Sequence, residues 1–390
     1  MIKSLTAVTQ DIDDEEAAVS DILQQLDLEG ENALLAHSVG ILSCYAEFLD
    51  SGAAAAICDR LPFDVIGTTT IAGGASGQMG DTLLALLVLT SDDVQFAVSA
   101  SEPVSDENEA TLRACYEAAA AKLPGKPAVM ISFVPLLTSM GGDYYVERMS
   151  EISGNVPNFG PLAVDHNADY HDSQVVLNGQ AWRDRLGILL LYGPVEPVFF
   201  IGAISEDKLF PDKVAVTSSK GNQLESVNGA SVSEYLDSLG LERDADGNIP
   251  GINSFPIIVD FNDGTDPVAR VMFALTPEGY AVCGGNIPVG STLSIGSFDP
   301  DEIIETTRRT LKEAMASGKH GAILMYSCIG RFFAQGYDQT AELEQVRQLM
   351  TTSDTRYLAA YSGGEICPVY GKEGNLVNRN HNNTFVILAV

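Results

Sequence analysis

The sequence predicts an α/β protein of mixed β-sheets flanked by helices, built from repeated β-α-β-β units in two domains. Three observations lead there. The chain has 390 residues, 45% of them hydrophobic, enough for a sizeable core and more than one domain. Short apolar runs of strand character alternate with stretches of helical spacing. One order of elements (strand, helix, strand, strand) recurs over residues 33–90, 127–193 and 321–390. A four-layer αββα sandwich is the alternative arrangement of the same elements.

In the first copy ALLAHSVG reads as a strand, YAEFLDSGAAAAICDRL as a helix, FDVIGTTTIAGGASG as a strand broken on glycines and TLLALLVL as the closing strand. The middle copy runs through AVMISFVPLLT, DYYVERMSEI, FGPLAVDHNADYHD and RLGILLLYG. In the third, GAILMYSCIGR is a strand ending on glycine. TAELEQVRQLM carries Leu343, Val346, Leu349 and Met350 at helical spacing, YLAAYSGGEICPVYG is a strand with a glycine-rich turn, and TFVILAV closes the unit after a polar loop. Residues 195–320 differ. PVFFIGAIS, KVAVTSSKGNQLESVNG, FPIIVDF, ARVMFAL and TLSIGSF read as strands, SVSEYLDSLGL as a short helix that Gly240 stops, and PDEIIETTRRTLKEAMASG as a long helix opened by Pro300 and closed by Gly318. The domain join is placed near Ser226, giving domains 1–225 and 226–390.

Charge narrows the function classes. With 22 Lys and Arg against 53 Asp and Glu, the formal net charge is −31. Phosphate backbones and anionic lipid are gripped by cations, so neither nucleic acid nor a membrane is an expected partner. The first residues, MIKSLTAVTQDIDDEE, lack the apolar core of a secretory signal, and GILLLYGPVEPVFFIGAI is interrupted by Pro194, Glu196 and Pro197. Six scattered cysteines without a CxxC pair fit a reducing compartment, so a cytoplasmic location without disulfides is expected. No P-loop, GxGxxG, HExxH or GxSxG is present, and no cofactor or metal is expected. DHNADYH, with Asp165, His166, Asn167 and His171, has metal-type donors but no metal-ligand spacing, so it reads as a solvated loop.

Chain direction locates a candidate site. In a strand-helix-strand unit the two strands are parallel, and their carboxyl ends share one sheet edge. A closing antiparallel strand starts at that edge. The third copy therefore brings together Cys328 and Arg331, then Tyr361, Gly363, Gly364 and Glu365, then His381, Asn382 and Thr384. Arg331 offers a planar fork for a carboxylate and Glu365 an acceptor for an ammonium. Gly363 and Gly364 allow close backbone approach, and His381, Asn382 and Thr384 orient a ligand. These groups suit a small zwitterion such as an amino acid; the alternative is that Arg331 and Glu365 only pair with each other. The first copy adds Thr68 and Thr69, with Ser38, Thr70, Ser76 and Asp81 at the corresponding edge, as a turn able to cradle an anion. An enzyme reading uses Cys328 as nucleophile and His381 as base, for a hydrolase or transferase.

At these residues the chain resembles a known family. SCIGRFF, AYSGGEICP and HNNTFVILAV resemble blocks of the FIST C-domain, VIGTTTIAGG resembles the glycine-rich strand end of the FIST N-domain, and SVNGASVSEYLDSLG resembles the join between the two. The resemblance implies a prokaryotic sensory module that binds small ligands such as amino acids. Both domains occupy the 390 residues, so it further implies signalling to a separate effector protein, or sequestration of the ligand alone.

Overall fold

A computed structural model describes residues 1–30, 32–105, 109–136, 141–167, 169–245 and 247–390. Three units of one plan follow one another. The first comprises β1 (Lys3–Thr9), α1 (Glu15–Leu26), β2 (His37–Cys44), α2 (Glu47–Asp50), α3 (Ala53–Arg60), β3 (Asp64–Thr69), a hairpin of β4 (Gly73–Ala75) and β5 (Gln78–Gly80), and β6 (Leu84–Ser91). The second comprises β7 (Gln95–Ala100), α4 (Glu109–Ala120), β8 (Val129–Phe133), α5 (Gly142–Ser153), β9 (Asn158–Pro161), a hairpin of β10 (Val175–Leu177) and β11 (Gln180–Trp182), and β12 (Gly187–Tyr192).

The third unit opens with β13 (Val198–Gly202) and is then interrupted. The insertion holds β14 (Val214–Lys220), β15 (Gln223–Val227), β16 (Ala230–Ser231), α6 (Val232–Ser238), β17 (Ile257–Asp260), β18 (Val268–Arg270), β19 (Met272–Leu275), β20 (Ala281–Cys283) and β21 (Thr292–Ile295). The unit resumes with α7 (Pro300–Ala316), β22 (Ala322–Cys328), α8 (Ile329–Ala334), α9 (Ala341–Met350), β23 (Arg356–Ser362), a hairpin of β24 (Glu365–Tyr370) and β25 (Leu376–His381), and β26 (Phe385–Ala389).

The expected mixed sheets flanked by helices are present, with a feature the sequence did not disclose. The sheets are ordered β1-β6-β2-β3-β10-β11, β7-β12-β8-β9-β24-β25 and β13-β26-β22-β23-β4-β5. Every unit thus gives its hairpin to a neighbour: the first unit to the third, the second to the first, the third to the second. In each sheet the central pair is parallel and the closing strand is antiparallel to it, as the chain-direction argument requires. The strand-helix-strand-strand order is therefore corrected to strand-helix-strand-hairpin-strand. The polar stretch expected as a loop contains β25, whose residues pair with β24 from Leu376 to His381. Its asparagines read as loop because their burial between layers has no local sequence signature.

Two boundaries also differ from expectation. The first repeat strand continues through Gly40 to Cys44, because a bare glycine fits against Leu86, Val65 and Phe63. Ser38 consequently sits at the amino end, bonded to Thr90 and away from Thr68. The helix expected over 45–61 breaks at Gly52, whose φ is +87°. Leu137 and Thr138, at the end of the expected strand AVMISFVPLLT, lie outside the described residues.

The inner faces of the three sheets share one core, including Ile41, Leu87, Ile131, Leu189, Leu324 and Val386. Helices cover the outer faces: α1 and α3 on the first, α4 and α5 on the second, α7 and α9 on the third. Strand β6 lies between two others and is buried on both faces, which explains its unbroken run LALLVL. Helix α7 starts where Asp299 accepts from the Glu302 amide and Pro300 takes the first turn. The insertion has a core of its own around Val216, Leu236, Ile257 and Met272. Position 226 lies within β15 of that insertion. Among the described residues no helix is long and apolar enough to cross a membrane.

Candidate functional site

The carboxyl edges of all three units meet. The Thr70 hydroxyl donates to the Tyr361 carbonyl at 2.8 Å, the Leu162 amide to the Gly364 carbonyl at 2.9 Å, and the Gly363 amide to the Leu162 carbonyl at 2.9 Å. Strand β13 runs parallel to β22, since both are antiparallel to β26. The insertion therefore leaves the third unit at this same edge and stands over it. A cleft of about 330 Å3 opens between the two. Ile201, Ile204, Leu209, Ile258, Pro267 and Ala269 form apolar walls, and His381 and Thr384 lie in its lining.

His381 is fully buried. Its Nε2 faces the Cys367 carbonyl at 3.0 Å, and Nδ1 has no partner. A carbonyl only accepts, so Nε2 carries the proton and Nδ1 is a bare acceptor. Burial holds the ring neutral, pushing its pKa down to about 3, with the Arg270 charge acting in the same direction. Directly across the strand pair lies Glu365, also fully buried. Its carboxyl meets the Ser362 hydroxyl and the Thr384 hydroxyl, both at 2.7 Å. Burial raises its pKa to about 8 despite these hydrogen bonds. Asn382 also belongs to this group. Its Oδ1 is buried without a partner, and its amide packs against Gly364, where a Cβ would lie 3.0 Å from Nδ2.

Other expected site residues go elsewhere. Tyr326 and Ala360 point into the shared core, so Cys328 and Ser362, two residues on, point inward as well. Tyr361 alternates to the helix-covered face, where its hydroxyl meets Gln335 at 2.9 Å and its ring contacts Phe332. Arg331 lies on that same outer side. Its Nη2 and Nε hold Glu342 Oε1 at 2.7 and 3.0 Å, and Nη2 also donates to the Ile303 carbonyl and to Thr306 and Thr307. Arg331 and Glu342 are both sealed from solvent. This corrects the expected roles of Arg331 and Tyr361 as ligand contacts: the fork is spent on a structural carboxylate, and neither side chain lines the cleft. Glu342 rather than Glu365 is the partner of Arg331.

Thr69 is engaged by Gln174, accepting from its amide at 2.9 Å, and so pins β10 to β3. Thr68 is buried next to the β10 pairing. Gly363 meets Val164 and Leu136 rather than open space, a Cβ there lying 2.9 Å from Val164 Cγ1. Asp165 is buried, not solvated. It accepts from the Asn167 amide at 2.5 Å and leaves Oδ2 without a partner, while His166 stacks on Tyr45 and His171 pairs with Asp169 and Asp172. Among the described residues no three His, Cys, Asp or Glu side chains group to hold a metal.

The nucleophile reading finds no support in the geometry. Cys328 is 1% exposed. Burial and the nearby Glu365 push its thiol well above the ordinary range, and these outweigh the Asn383 and Gly330 amides that face it. All six cysteines are free and buried. Sequence reasoning missed the insertion's side of the site, where Lys213, Asp260, Thr292 and Ser294 line the cleft. These residues sit outside the repeat, and only the fold brings them to His381.

The family model of the FIST N domain matches residues 38–230 and that of the FIST C domain matches residues 231–368. The chain belongs to the FIST family, whose domains are sensory domains of signal-transduction proteins. No curated protein matches it. Among solved structures it is similar to the cyanuric acid hydrolase of A. caulinodans, at 9% identity and a TM-score of 0.36, over 100% of this chain and 99% of that one.

Proposed function

We propose that this protein is a cytoplasmic sensor that binds a small polar metabolite of amino-acid type in the cleft between the third unit and the insertion, and reports occupancy to a separate effector protein. The observation that carries this reading is an apolar-walled cleft lined by Lys213, Glu206 and Asp260 and by His381, whose buried Nδ1 has no partner. A buried acceptor without a partner costs about 1–3 kcal/mol, and a ligand donor recovers that cost once the insertion moves to uncover it. Glu365, behind Thr384, adds a carboxyl group that a ligand ammonium favours in its ionised form. Thr384 lines the cleft beside His381 and is held from behind by Glu365. The insertion supplies a wall that moves relative to the third unit when the cleft fills, which gives an effector something to read.

A thermal-shift screen over amino acids and related acids tests this. A ligand at 100 times its Kd adds about 2.7 kcal/mol to folding stability, several degrees in Tm. His381→Ala abolishes the shift while the variant still unfolds cooperatively. A screen in which no small metabolite shifts Tm, or one in which His381→Ala keeps the full shift, rejects the assignment.

A further inference from the structure

We infer that a second cavity, on the second unit's side of the insertion, is a binding site for a small neutral polyol, a monosaccharide or a cyclitol. It is separate from the cleft at His381 and does not depend on the sensor reading. Three parts of the chain build it: α5 of the second unit, the insertion loops that hold Phe261 and Asn286, and strand β25 of the third unit's hairpin. They enclose about 300 Å3, at the lower bound of small-molecule sites and enough for one six-membered ring with its hydroxyls.

Charge excludes ions of either sign. Two ion pairs at the site cancel: Arg270, sealed from solvent, meets Asp143 at 2.8 Å, and Arg379 meets Asp263. The Asn286 amide donates to the other oxygen of Asp143 at 2.7 Å, so that carboxylate is fully engaged. Glu147, one turn further along α5, is exposed and has no ion pair or hydrogen bond among the described residues. A small anion in the cavity faces three carboxylates, those of Asp143, Glu147 and Asp263. A small cation finds Glu147 but also the Arg379 guanidinium, whose charge reaches that carboxylate. A neutral ligand meets neither repulsion.

The hydrogen-bonding groups left free point the same way. The Glu147 carboxylate only accepts. Arg379 spends Nη2 on Asp263 and Thr265, which leaves Nη1 as a donor. The exposed Asn286 side chain does both. A hydroxyl donates and accepts at once, so a ring bearing several of them can meet all three groups. An ammonium offers only donors and a carboxylate only acceptors. Val146, Phe261 and Pro288 complete the lining with apolar surface for the C–H face of such a ring. Phe261 is held in place by the guanidinium groups of Arg270 and Arg379, 5.8 and 5.0 Å from its centre.

The experiment is titration calorimetry of the full chain with D-glucose, D-ribose and myo-inositol, with putrescine and inorganic phosphate as charged comparators. At least one polyol binds, with an affinity that is the same at low and high salt because no net charge is paired. Glu147→Ala, at an exposed helix position, weakens it about tenfold, the loss expected from a hydrogen bond to a charged group. Asn286→Ala, which keeps the backbone amide that Asp143 accepts from, weakens it about threefold. No binding of any of the three polyols overturns the inference. So does polyol binding that both substitutions leave untouched, since the ligand then sits elsewhere. Tighter binding of putrescine or phosphate than of every polyol overturns the ligand class.

Discussion

Two carboxylates that look alike in the sequence have opposite surroundings in the fold. Glu342 lies against a guanidinium and is structural; Glu365 lies against two hydroxyls and keeps its proton. The consequence for Glu365 is a pH signature. Its folded pKa of about 8 exceeds its ordinary 4.5, so between those values the folded chain holds a proton that the unfolded chain has lost. Stability is full below about pH 4.5 and falls as pH rises toward 8, by at most about 1.4 kcal/mol per pH unit. His381 acts with the opposite sign. Its folded pKa of about 3 lies below 6.5, so its contribution is full above 6.5 and is lost as pH falls toward 3. Of these two groups only Glu365 gives a slope between pH 6.5 and 8; His171, raised by its hydrogen bond to Asp169, adds a slope above 6.5 that Glu365→Gln leaves in place. Denaturant unfolding of Glu365→Gln is therefore expected to be flatter than that of the parent chain in that window, and parallel profiles would refute the protonated Glu365. For Arg331, removal rather than titration is diagnostic. Arg331→Ala leaves Glu342 buried and uncompensated, at a cost of about 3–5 kcal/mol, whereas a surface ligand contact would cost little. A midpoint within error of the parent chain would return Arg331 to the list of ligand contacts.

At the scale of elements, legibility followed periodicity. Unbroken apolar runs mark the long strands and a 3.6-residue repeat marks the amphipathic helices: β6, β12, β22, β26, α7 and α9 stand where these local patterns place them. Short hairpins have no such period. Strand β4 has three residues and β25 reads LVNRNH, so their identity depends on the neighbouring sheet, which no local pattern encodes. The site was half legible for the same reason. Chain direction placed Glu365, His381, Asn382 and Thr384 at one edge. It could not distinguish the two faces of that edge, which is why Arg331 and Tyr361 were grouped with them. Close strand packing yields a further prediction at this scale. A Cβ on Gly67 of β3 would lie 1.8 Å from the Leu42 carbonyl oxygen of β2, a backbone atom that cannot rotate away. Gly67→Ala must therefore spread the parallel pair, and a loss of at least about 1–3 kcal/mol in unfolding free energy is expected. A neutral effect would mean that the pair is looser than its hydrogen bonds imply.

For the whole molecule, cyclic hairpin exchange and the insertion divide the work. Exchange makes the three units interdependent, because each sheet is completed by another unit's hairpin. The insertion has its own core and enters through one connection, between β13 and α7. In the first unit the corresponding link, from β1 to α1, spans only residues 10–14. A chain in which residues 203–298 are replaced by a link of that kind should still close its three sheets, since no strand of the insertion pairs within them. It should not bind ligand. Lys213, Ile258, Pro267, Ala269, Thr292 and Ser294 would be gone, and His381 Nδ1 would be satisfied by water instead. Latches onto the hairpin also go, among them Arg270 to the Asn380 carbonyl at 2.5 Å, the Asn382 amide to the Ala269 carbonyl at 3.1 Å and the Asp266 amide to the Tyr370 carbonyl at 3.0 Å. The edge strand β25 therefore loses its cover, and a lower Tm accompanies the loss of binding. Circular dichroism with cooperative melting reports the core, and calorimetry with the metabolite found in the screen reports the site. A folded core that still binds with unchanged affinity would place the sensor site within the three units and leave the insertion without a part in it.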